Sequence, residues 1–170
     1  MRIILFLLLF ISPSFASEKA ALVIGVEGNV NVVREGNKLP LTKKEVLYNK
    51  DQILTSEESS IELQMIDGSL INLGELSDLF IEELVYDPIK KDGFMDIEIA
   101  VGAFRMVSGS IAKLGPDLMQ VKLPRATIGI RGTGLIGKVE EDGDSYVIMV
   151  RDPEGKIGEL IIQNTVGVVV

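Results

Sequence analysis

Short runs in which apolar and polar residues alternate dominate this chain. The clearest pair, Ile61–Met65 and Leu70–Leu73, flanks the polar segment Ile66-Asp67-Gly68-Ser69. A period of two is typical of a half-buried strand, and two such runs around a Gly-containing segment predict a β-hairpin. Similar alternation is found in three further segments: 25–34, 95–103 and 146–150. The pattern predicts an all-β protein of about ten short strands.

Turn signals punctuate these runs at irregular intervals. An acidic residue followed by Gly occurs at Glu27-Gly28, Glu35-Gly36, Asp67-Gly68, Asp92-Gly93, Asp142-Gly143 and Glu154-Gly155. Gly adopts the positive φ that tight hairpin turns require, so we expect a turn at each pair. Because the intervals follow no fixed period, a strict repeat array is not supported. We expect a β-solenoid-like stack of strands, with a β-sandwich as the alternative.

Helical periodicity is scarce. Two segments, Ser77–Val85 and Ser110–Leu114, are each predicted to form a turn or two of helix, and Gly115-Pro116 ends the second. The segment Ile157–Ile162 is richer in apolar residues and is predicted to be a strand buried on both faces. No linker rich in Pro, Ser or Gly interrupts the chain, so residues 17–170 are predicted to form one β domain.

The N-terminus has the pattern of an export signal. Arg2 is followed by the apolar run Ile3–Ile11 and by small residues at the two cleavage subsites of Ser14-Phe15-Ala16. Nine apolar residues are too few for a membrane span, which needs about 20. We therefore expect residues 1–16 to be a cleaved signal peptide, with an uncleaved membrane anchor as the alternative. The expected location is the periplasm or the extracellular space, without stable membrane insertion after cleavage.

Composition narrows the function classes. The 17 basic and 25 acidic residues give a net charge of −8, which disfavours nucleic acid and anionic lipid as partners. The absence of Cys excludes disulfides. The absence of His removes the commonest general base and the commonest metal ligand. We expect no cofactor, no metal and no catalysis.

Four motifs have residue types with possible chemistry, and each also has a structural explanation. Ser110 and Lys113 have the S-x-x-K spacing of serine acyl enzymes, but the companion motifs are absent. Neighbouring carboxylates such as Glu82-Glu83 point to opposite faces of a strand and cannot flank one glycosidic bond. The acidic turn at 142–144 is expected to be a solvated hairpin rather than a calcium loop. The glycines of 129–134 precede a strand-like segment, so a phosphate loop is not favoured, and Arg131 is expected to pair with an acid.

An ordered set of short motifs resembles the FecR-type domain, named for the periplasmic regulator of ferric citrate uptake. The set comprises Asp51–Thr55, Ser60–Leu63, Asp67–Gly74, Ser77, Tyr86-Asp87, Gly102–Arg105, Ser108-Gly109 and Ala126–Thr133. The resemblance extends over about Gly25 to Thr133, and its final segment is the most specific.

The resemblance implies an all-β, solenoid-like periplasmic domain that relays a signal through protein contact and not through catalysis. In the iron-uptake members, such a domain follows a cytoplasmic sigma-factor-binding segment and a transmembrane helix, and it receives its signal from an outer-membrane receptor. No segment of this chain corresponds to those two parts. The expectation is therefore a freestanding exported module that binds an envelope protein in signalling or assembly. A cell-wall glycan-binding module and a serine acyl enzyme using Ser110 and Lys113 are the alternatives.

Most of the motif residues are expected to be structural. Gly102, Gly109, Gly129 and Gly132 are predicted to lie where the backbone bends or strands approach closely. Phe104 and Arg105, as neighbours in a strand, are predicted to face opposite sides. The full set of motif residues is Asp67, Gly68, Ser69, Gly102, Phe104, Arg105, Ser108, Gly109, Thr127, Gly129, Arg131, Gly132 and Thr133.

Overall fold

A computed structural model describes residues 18–151, 155, 157–164 and 167–169 of the chain. The predicted signal peptide lies outside these residues. The described part is almost entirely β: 63% of the structure is strand, with two short 3₁₀ turns at Ile111–Lys113 and Pro116–Leu118 and no α-helix among the described residues. None of its helical segments has the length and apolar character that crossing a membrane requires.

Fifteen strands are found in the described residues. They are β1 (Lys19–Glu27), β2 (Val30–Arg34), β3 (Asn37–Pro40), β4 (Val46–Tyr48), β5 (Gln52–Thr55), β6 (Ser60–Met65), β7 (Leu70–Leu73), β8 (Asp78–Asp87), β9 (Asp92–Val107), β10 (Met119–Leu123), β11 (Ala126–Arg131), β12 (Gly134–Val139), β13 (Ser145–Val150), β14 (Glu159–Asn164) and β15 (Gly167–Val169).

The strands form one curled, mostly antiparallel sheet with two wings. Wing A has the order β4-β1-β6-β7-β9-β12-β13, and wing B has the order β3-β2-β5-β8-β9-β10-β11-β14-β15. The pair β9–β10 is parallel, and every other described pair is antiparallel. These pairings confirm the all-β class. The β-solenoid-like arrangement and its β-sandwich alternative stay predictions.

The long strand β9 belongs to both wings. Its first part pairs with β8 and β10, and from Gly102 onward it pairs with β7 and β12. Gly102 has φ +107, and a Cβ there would overlap the side chain of Ser77. Only Gly combines this backbone conformation with so close an approach, so Gly102 permits the change from one wing to the other.

A second connection joins the wings far from β9. The Arg34 side chain, on β2, donates two hydrogen bonds of 2.7 Å to the Asp51 carboxylate. The same carboxylate accepts the N–H of Tyr48, and Arg34 also donates to the carbonyl of Val46, both on β4. Asp51 is completely buried, and a buried charge is costly unless it is paired. The Arg34 guanidinium and the Tyr48 N–H compensate the charge of Asp51.

A single core cluster fills the interior. Wing A contributes Leu63, Ile71 and Met106 to it, and wing B contributes Ile81 and Ile97. All five side chains are fully buried. The alternation seen in the sequence is the reason: every second side chain faces this core in β6 and in each part of β9, and the alternation in β9 changes phase between Ile99 and Gly102.

Three sequence expectations are corrected. Ser77–Val85 is not helical but lies largely in β8. A register shift between Ile81 and Glu83 places the buried residues Ile81 and Leu84 three positions apart, and this spacing resembles a helical period. Asp92-Gly93 is not a turn but the start of β9, where Gly93 admits the backbone of Val85.

The third correction concerns the expected strand at Ile157–Ile162. The observed strand, β14, runs from Glu159 to Asn164 with only partly buried or exposed side chains, and Ile157 lies exposed before it. The predicted turn at Ser110–Leu114 is confirmed in a 3₁₀ form.

The turn predictions otherwise agree with the structure. Gly28, Gly36, Gly68, Gly143 and Gly155 all have positive φ. Glu35 and Gly36 form a two-residue loop between β2 and β3 with both φ values positive, which is the primed turn geometry that favours Gly.

Candidate functional site

The Asp-Gly-Ser motif is the centre of a buried hydrogen-bond network. The Asp67 carboxylate accepts hydrogen bonds from the N–H and hydroxyl of Ser69, both at 2.9 Å, and from the N–H of Ile111 at 3.2 Å. The Ser69 hydroxyl in turn accepts the N–H of Gly109 at 2.8 Å. A Cβ at Gly109 would lie 2.5 Å from the Ser69 nitrogen, so Gly there allows the two segments to approach.

A second part of the motif, Ser108 and Thr133, bonds the end of β9 to β12 and β13 of wing A. Ser108 and Thr133 bond reciprocally: the Thr133 N–H donates to the Ser108 hydroxyl at 3.0 Å, and the Ser108 N–H donates to the Thr133 carbonyl at 3.2 Å. The Thr133 hydroxyl donates to the carbonyl of Val150 at 2.9 Å. Thr133 is fully buried. The end of β9 is thereby tied to the start of β12 and the end of β13.

Four motif residues in or just after β11 take no part in these hydrogen bonds within the described structure: Thr127, Gly129, Arg131 and Gly132. Thr127 and Gly129 lie within β11, and Gly129 does not have a positive φ. Gly132 has φ +63 and open space where a Cβ would be, so of the two expected reasons for Gly there, a backbone bend or a close approach, the structure has the bend. Arg131 lies 3.7 Å from the carboxylate of Glu159, as expected for a residue that pairs with an acid.

Phe104 and Arg105 face opposite sides of wing A, as predicted. Phe104 is buried against Gly137, where a Cβ would overlap its ring. Arg105 is exposed on the outer face, and no hydrogen bond or ion pair is found for its guanidinium within the described part of the chain. Arg105 is therefore a motif side chain that stands open to another molecule.

Apolar side chains lie on the β12 side of Arg105 on this outer face, and Asn72 of β7 lies opposite it on the other side. Ile136 on β12 lies directly opposite Arg105 on β9, and Ile148 on β13 lies opposite Ile136. Tyr146 lies two residues from Ile148 on the same face of β13. The exposed fractions are 44% for Ile136, 64% for Ile148 and 63% for Tyr146. We call Arg105, Ile136, Tyr146 and Ile148 the outer patch.

Sequence reasoning missed the outer patch. It assigned 146–150 to a half-buried strand, whereas Tyr146, Ile148 and Met149 are all exposed. The available signal was the composition of β13, in which five consecutive apolar residues follow Ser145 without a charge. A strand buried on one face usually shows polar residues on the other, and their absence here indicates a second apolar face.

An ionic cluster lies on the opposite wing. The Lys122 ammonium donates to Glu82 Oε2 at 2.5 Å and to Asp96 Oδ2 at 2.7 Å. These bonds raise the pKa of Lys122, and the bond from Lys122 is the main cause that lowers the pKa of Glu82. Burial raises the pKa of Asp96 above its usual range, and its Oδ1 is buried without a hydrogen-bond partner in the described residues. The cluster links β8, β9 and β10.

A cleft of about 760 Å³ lies between the 74–76 turn and the β12–β13 hairpin. Val101 and Ala103 contribute its apolar lining, and Glu75, Glu140 and Glu141 its acidic lining. Lys138 donates to Glu140, which raises the pKa of the ammonium. The lining residues include no hydroxyl or thiol nucleophile.

The other candidate motifs are not assembled into known constellations. Ser110 occupies the N-cap position of the 3₁₀ turn that contains Lys113 without a side-chain capping bond, and no hydrogen bond between the two side chains is found in the described structure. Asp144 bonds to Arg125, as does the carbonyl of Asp142, in the solvated β12–β13 hairpin. No group of acids suited to a metal ion occurs among the described residues.

The structure is an all-β domain in which hydrogen bonds of the polar motif residues hold the turns together. The profile of the FecR protein family matches residues 51–156, so the chain belongs to the FecR family. This confirms the resemblance: the match begins at Asp51, where the first quoted motif begins, although the resemblance was expected from about Gly25, and it ends beyond the last quoted motif at Thr133. The family indicates a signalling-related domain. Neither the curated proteins nor the solved structures contain a significant match.

Proposed function

We propose that this protein is a non-catalytic FecR-type module of the periplasm that contacts another envelope protein in signalling or assembly. The outer patch of wing A is the surface through which it makes that contact. The observation that carries the proposal is the position of Arg105: the guanidinium of this family-motif residue has no partner among the described residues and lies on the same face as exposed Ile136, Ile148 and Tyr146.

The composition of the outer patch supports protein contact. Single exposed apolar residues are common, but contiguous ones next to an Arg and a Tyr are typical of interface centres. The rest of the motif supplies a rigid support, because Thr133 and Ser108 tie the ends of β12 and β13 to β9. A fixed patch loses little conformational entropy on binding.

Periplasmic location is part of the proposal. It is supported by the export signal expected in residues 1–16 and by the family, whose domains occur in envelope signalling proteins. Cell fractionation with a periplasmic marker tests it, and recovery of the protein in the cytoplasmic fraction would contradict it.

The contact surface is tested by affinity capture from an envelope extract. We expect Ile148→Asp to abolish capture of a partner, because the substitution places a charge at the centre of the apolar contact. Ile89→Asp is the matched control: Ile89 is 92% exposed in the turn between β8 and β9, so the same charge added there should leave capture unchanged.

Stability separates a binding defect from unfolding. Both side chains are exposed, so both variants should unfold within about 0.5 kcal/mol of the parent protein. Equal capture by the parent protein and Ile148→Asp would contradict the proposed surface.

The two alternative functions keep their own tests. Co-sedimentation with purified peptidoglycan would support the glycan-binding alternative. Covalent labelling by a β-lactam probe that is lost in Ser110→Ala would support the serine acyl enzyme.

A further inference from the structure

Strand β13 ends wing A with an unprotected edge. Among the described residues it pairs with β12 alone, so one side of its backbone has no strand partner. The other outermost strands are short or protected: β4 and β15 have three residues each, and β3 contains Lys38 and Pro40. Short length, Lys and Pro are the usual protections of a sheet edge, and β13 has six residues without any of them.

The unpaired backbone groups can be assigned to particular residues. The carbonyl of Asp144 accepts the N–H of Glu140, so this carbonyl points toward β12. The backbone N–H and C=O groups of successive residues alternate in direction along an antiparallel strand, and the β12–β13 register is unbroken. The N–H and C=O groups of Ser145, Val147 and Met149 therefore point to the open edge.

The two ends of β13 carry opposite charges. Asp142 and Asp144 lie in the turn that precedes the strand, where Asp144 is already paired with Arg125, and Arg151 follows the strand. Arg151 donates one hydrogen bond to the carbonyl of Gly155 and has no carboxylate partner among the described residues. An incoming strand that pairs antiparallel with β13 is electrostatically complementary to β13 when the incoming strand also has acidic residues at its start and a basic residue at its end.

This pattern is that of β13 itself, so we propose that a second copy of the chain binds along the open edge, β13 against β13, about a two-fold axis. Val147 lies opposite Val147 of the second copy, and Ser145 lies opposite Met149 of that copy. Tyr146 lies opposite Ile148 of the second copy, an aromatic and β-branched pair of the kind that stabilises sheets. Arg151 then lies opposite Gly143 of the second copy, between the carboxylates of Asp142 and Asp144.

The inference goes beyond the proposed function because it concerns the backbone edge of β13, although Tyr146 and Ile148 belong both to the outer patch and to the strand pair. An isologous contact of this kind closes on itself, so it gives a dimer and not a filament. The two outer patches would then lie side by side on one continuous sheet, which doubles the apolar surface offered to an envelope partner.

The edge is tested by sedimentation of the protein isolated from the expressing cells. We expect a dimer for the parent protein. Met149→Pro removes an N–H that points to the open edge, so it should give a monomer with unchanged circular dichroism. Met149→Leu keeps the N–H and should remain a dimer. A parent protein that is monomeric at 100-fold the concentration of the capture experiment, or a Met149→Pro variant that stays dimeric, would overturn the proposal.

The register is tested by cysteine cross-linking, since the chain has no Cys of its own. Opposite residues of a non-hydrogen-bonded pair have Cα atoms about 4.5 Å apart, within the range of a disulfide. The double variant Tyr146→Cys/Ile148→Cys should form a covalent dimer under mild oxidation. Tyr146→Cys/Val150→Cys should remain uncrosslinked, because residue 146 is not opposite residue 150 in this register. The reverse result would contradict it.

The charged ends give an independent readout. Arg151→Glu places an acid between Asp142 and Asp144 of the second copy and should weaken the dimer at least tenfold in low salt, with partial recovery at high salt. No effect of this substitution would contradict the pairing of the strand ends.

The outcomes also distinguish this inference from the proposed function. A monomeric parent protein that captures an envelope partner through Ile148 would overturn the second-copy inference and leave the proposed function intact. Loss of that capture in Met149→Pro, with a monomeric parent protein, would assign the edge to a strand of another protein and overturn the second-copy inference.

Discussion

At the scale of single residues, the family motif separates into two groups. Asp67, Ser69 and Thr133 are buried and hydrogen-bonded, and their contacts join turns that are distant in sequence. Arg105 is exposed and unpaired in the described structure. The structural role of the first group could be predicted from the sequence, because Asp, Gly and Ser in a turn act through the local φ and short-range hydrogen bonds. The sequence did not indicate that Arg105 lies beside Ile136, since that proximity depends on strand register.

The Asp67-Gly68 turn gives a test at this scale. Gly68 has φ +86 and open space around the position of a Cβ, so a substitution there meets backbone strain and no clash. We expect Gly68→Val to lower the free energy of unfolding by about 1–2 kcal/mol. Gly68→Asn should cost less, because Asn tolerates positive φ. Equal losses for Val and Asn in denaturant titrations would contradict the strain explanation.

At the scale of strands, irregularities limited what the sequence could predict. The hairpin β6–β7 follows strict alternation and was predicted correctly. Strand β8 was not, because its register shift between Ile81 and Glu83 separates buried residues by three positions and resembles a helical turn. The same irregularity lies beside Glu82, whose carboxylate meets Lys122. Local periodicity contains no information about the partner strand that causes such a shift.

The Lys122 cluster gives a test at the scale of strands, since it links β8, β9 and β10. We expect Lys122→Met to lower the free energy of unfolding at pH 7 by about 1 kcal/mol, because Asp96 and Glu82 both lose their cation. Lys90→Met is the control: Lys90 pairs with Asp87 in an exposed turn, and its removal should have no measurable effect.

The effect of Lys122→Met should depend on pH. The folded pKa of Asp96 is raised, so the stability it contributes is fully present below its ordinary pKa of 3.8 and is lost as the pH rises through the folded pKa. Removing Lys122 raises that pKa further. The lowered pKa of Glu82 contributes stability above 4.5 that is lost at lower pH, and the variant lacks this contribution. Parent and variant should therefore converge as the pH falls through the lowered pKa of Glu82, and a constant difference in acid titrations of stability would contradict this account.

At the scale of the whole molecule, one strand, β9, belongs to both wings, and the Arg34–Asp51 pair joins the wings a second time. The all-β class and the single core follow from alternation along the chain. The division into two wings does not follow from alternation, because the change of partner strands at Gly102 depends on β9 and four neighbouring strands together. For the same reason the outer patch was not predicted: its residues come from three strands, and only the assembled sheet places them together.

The central claim, contact with an envelope protein through the outer patch, is tested most directly by photo-cross-linking in living cells. A photoreactive phenylalanine analogue is introduced in place of Ile136 in one strain and in place of Ile89 in another. We predict a specific adduct between the protein and another envelope protein from position 136, and none from position 89. Identical products from both positions, or no adduct from position 136, would contradict the account.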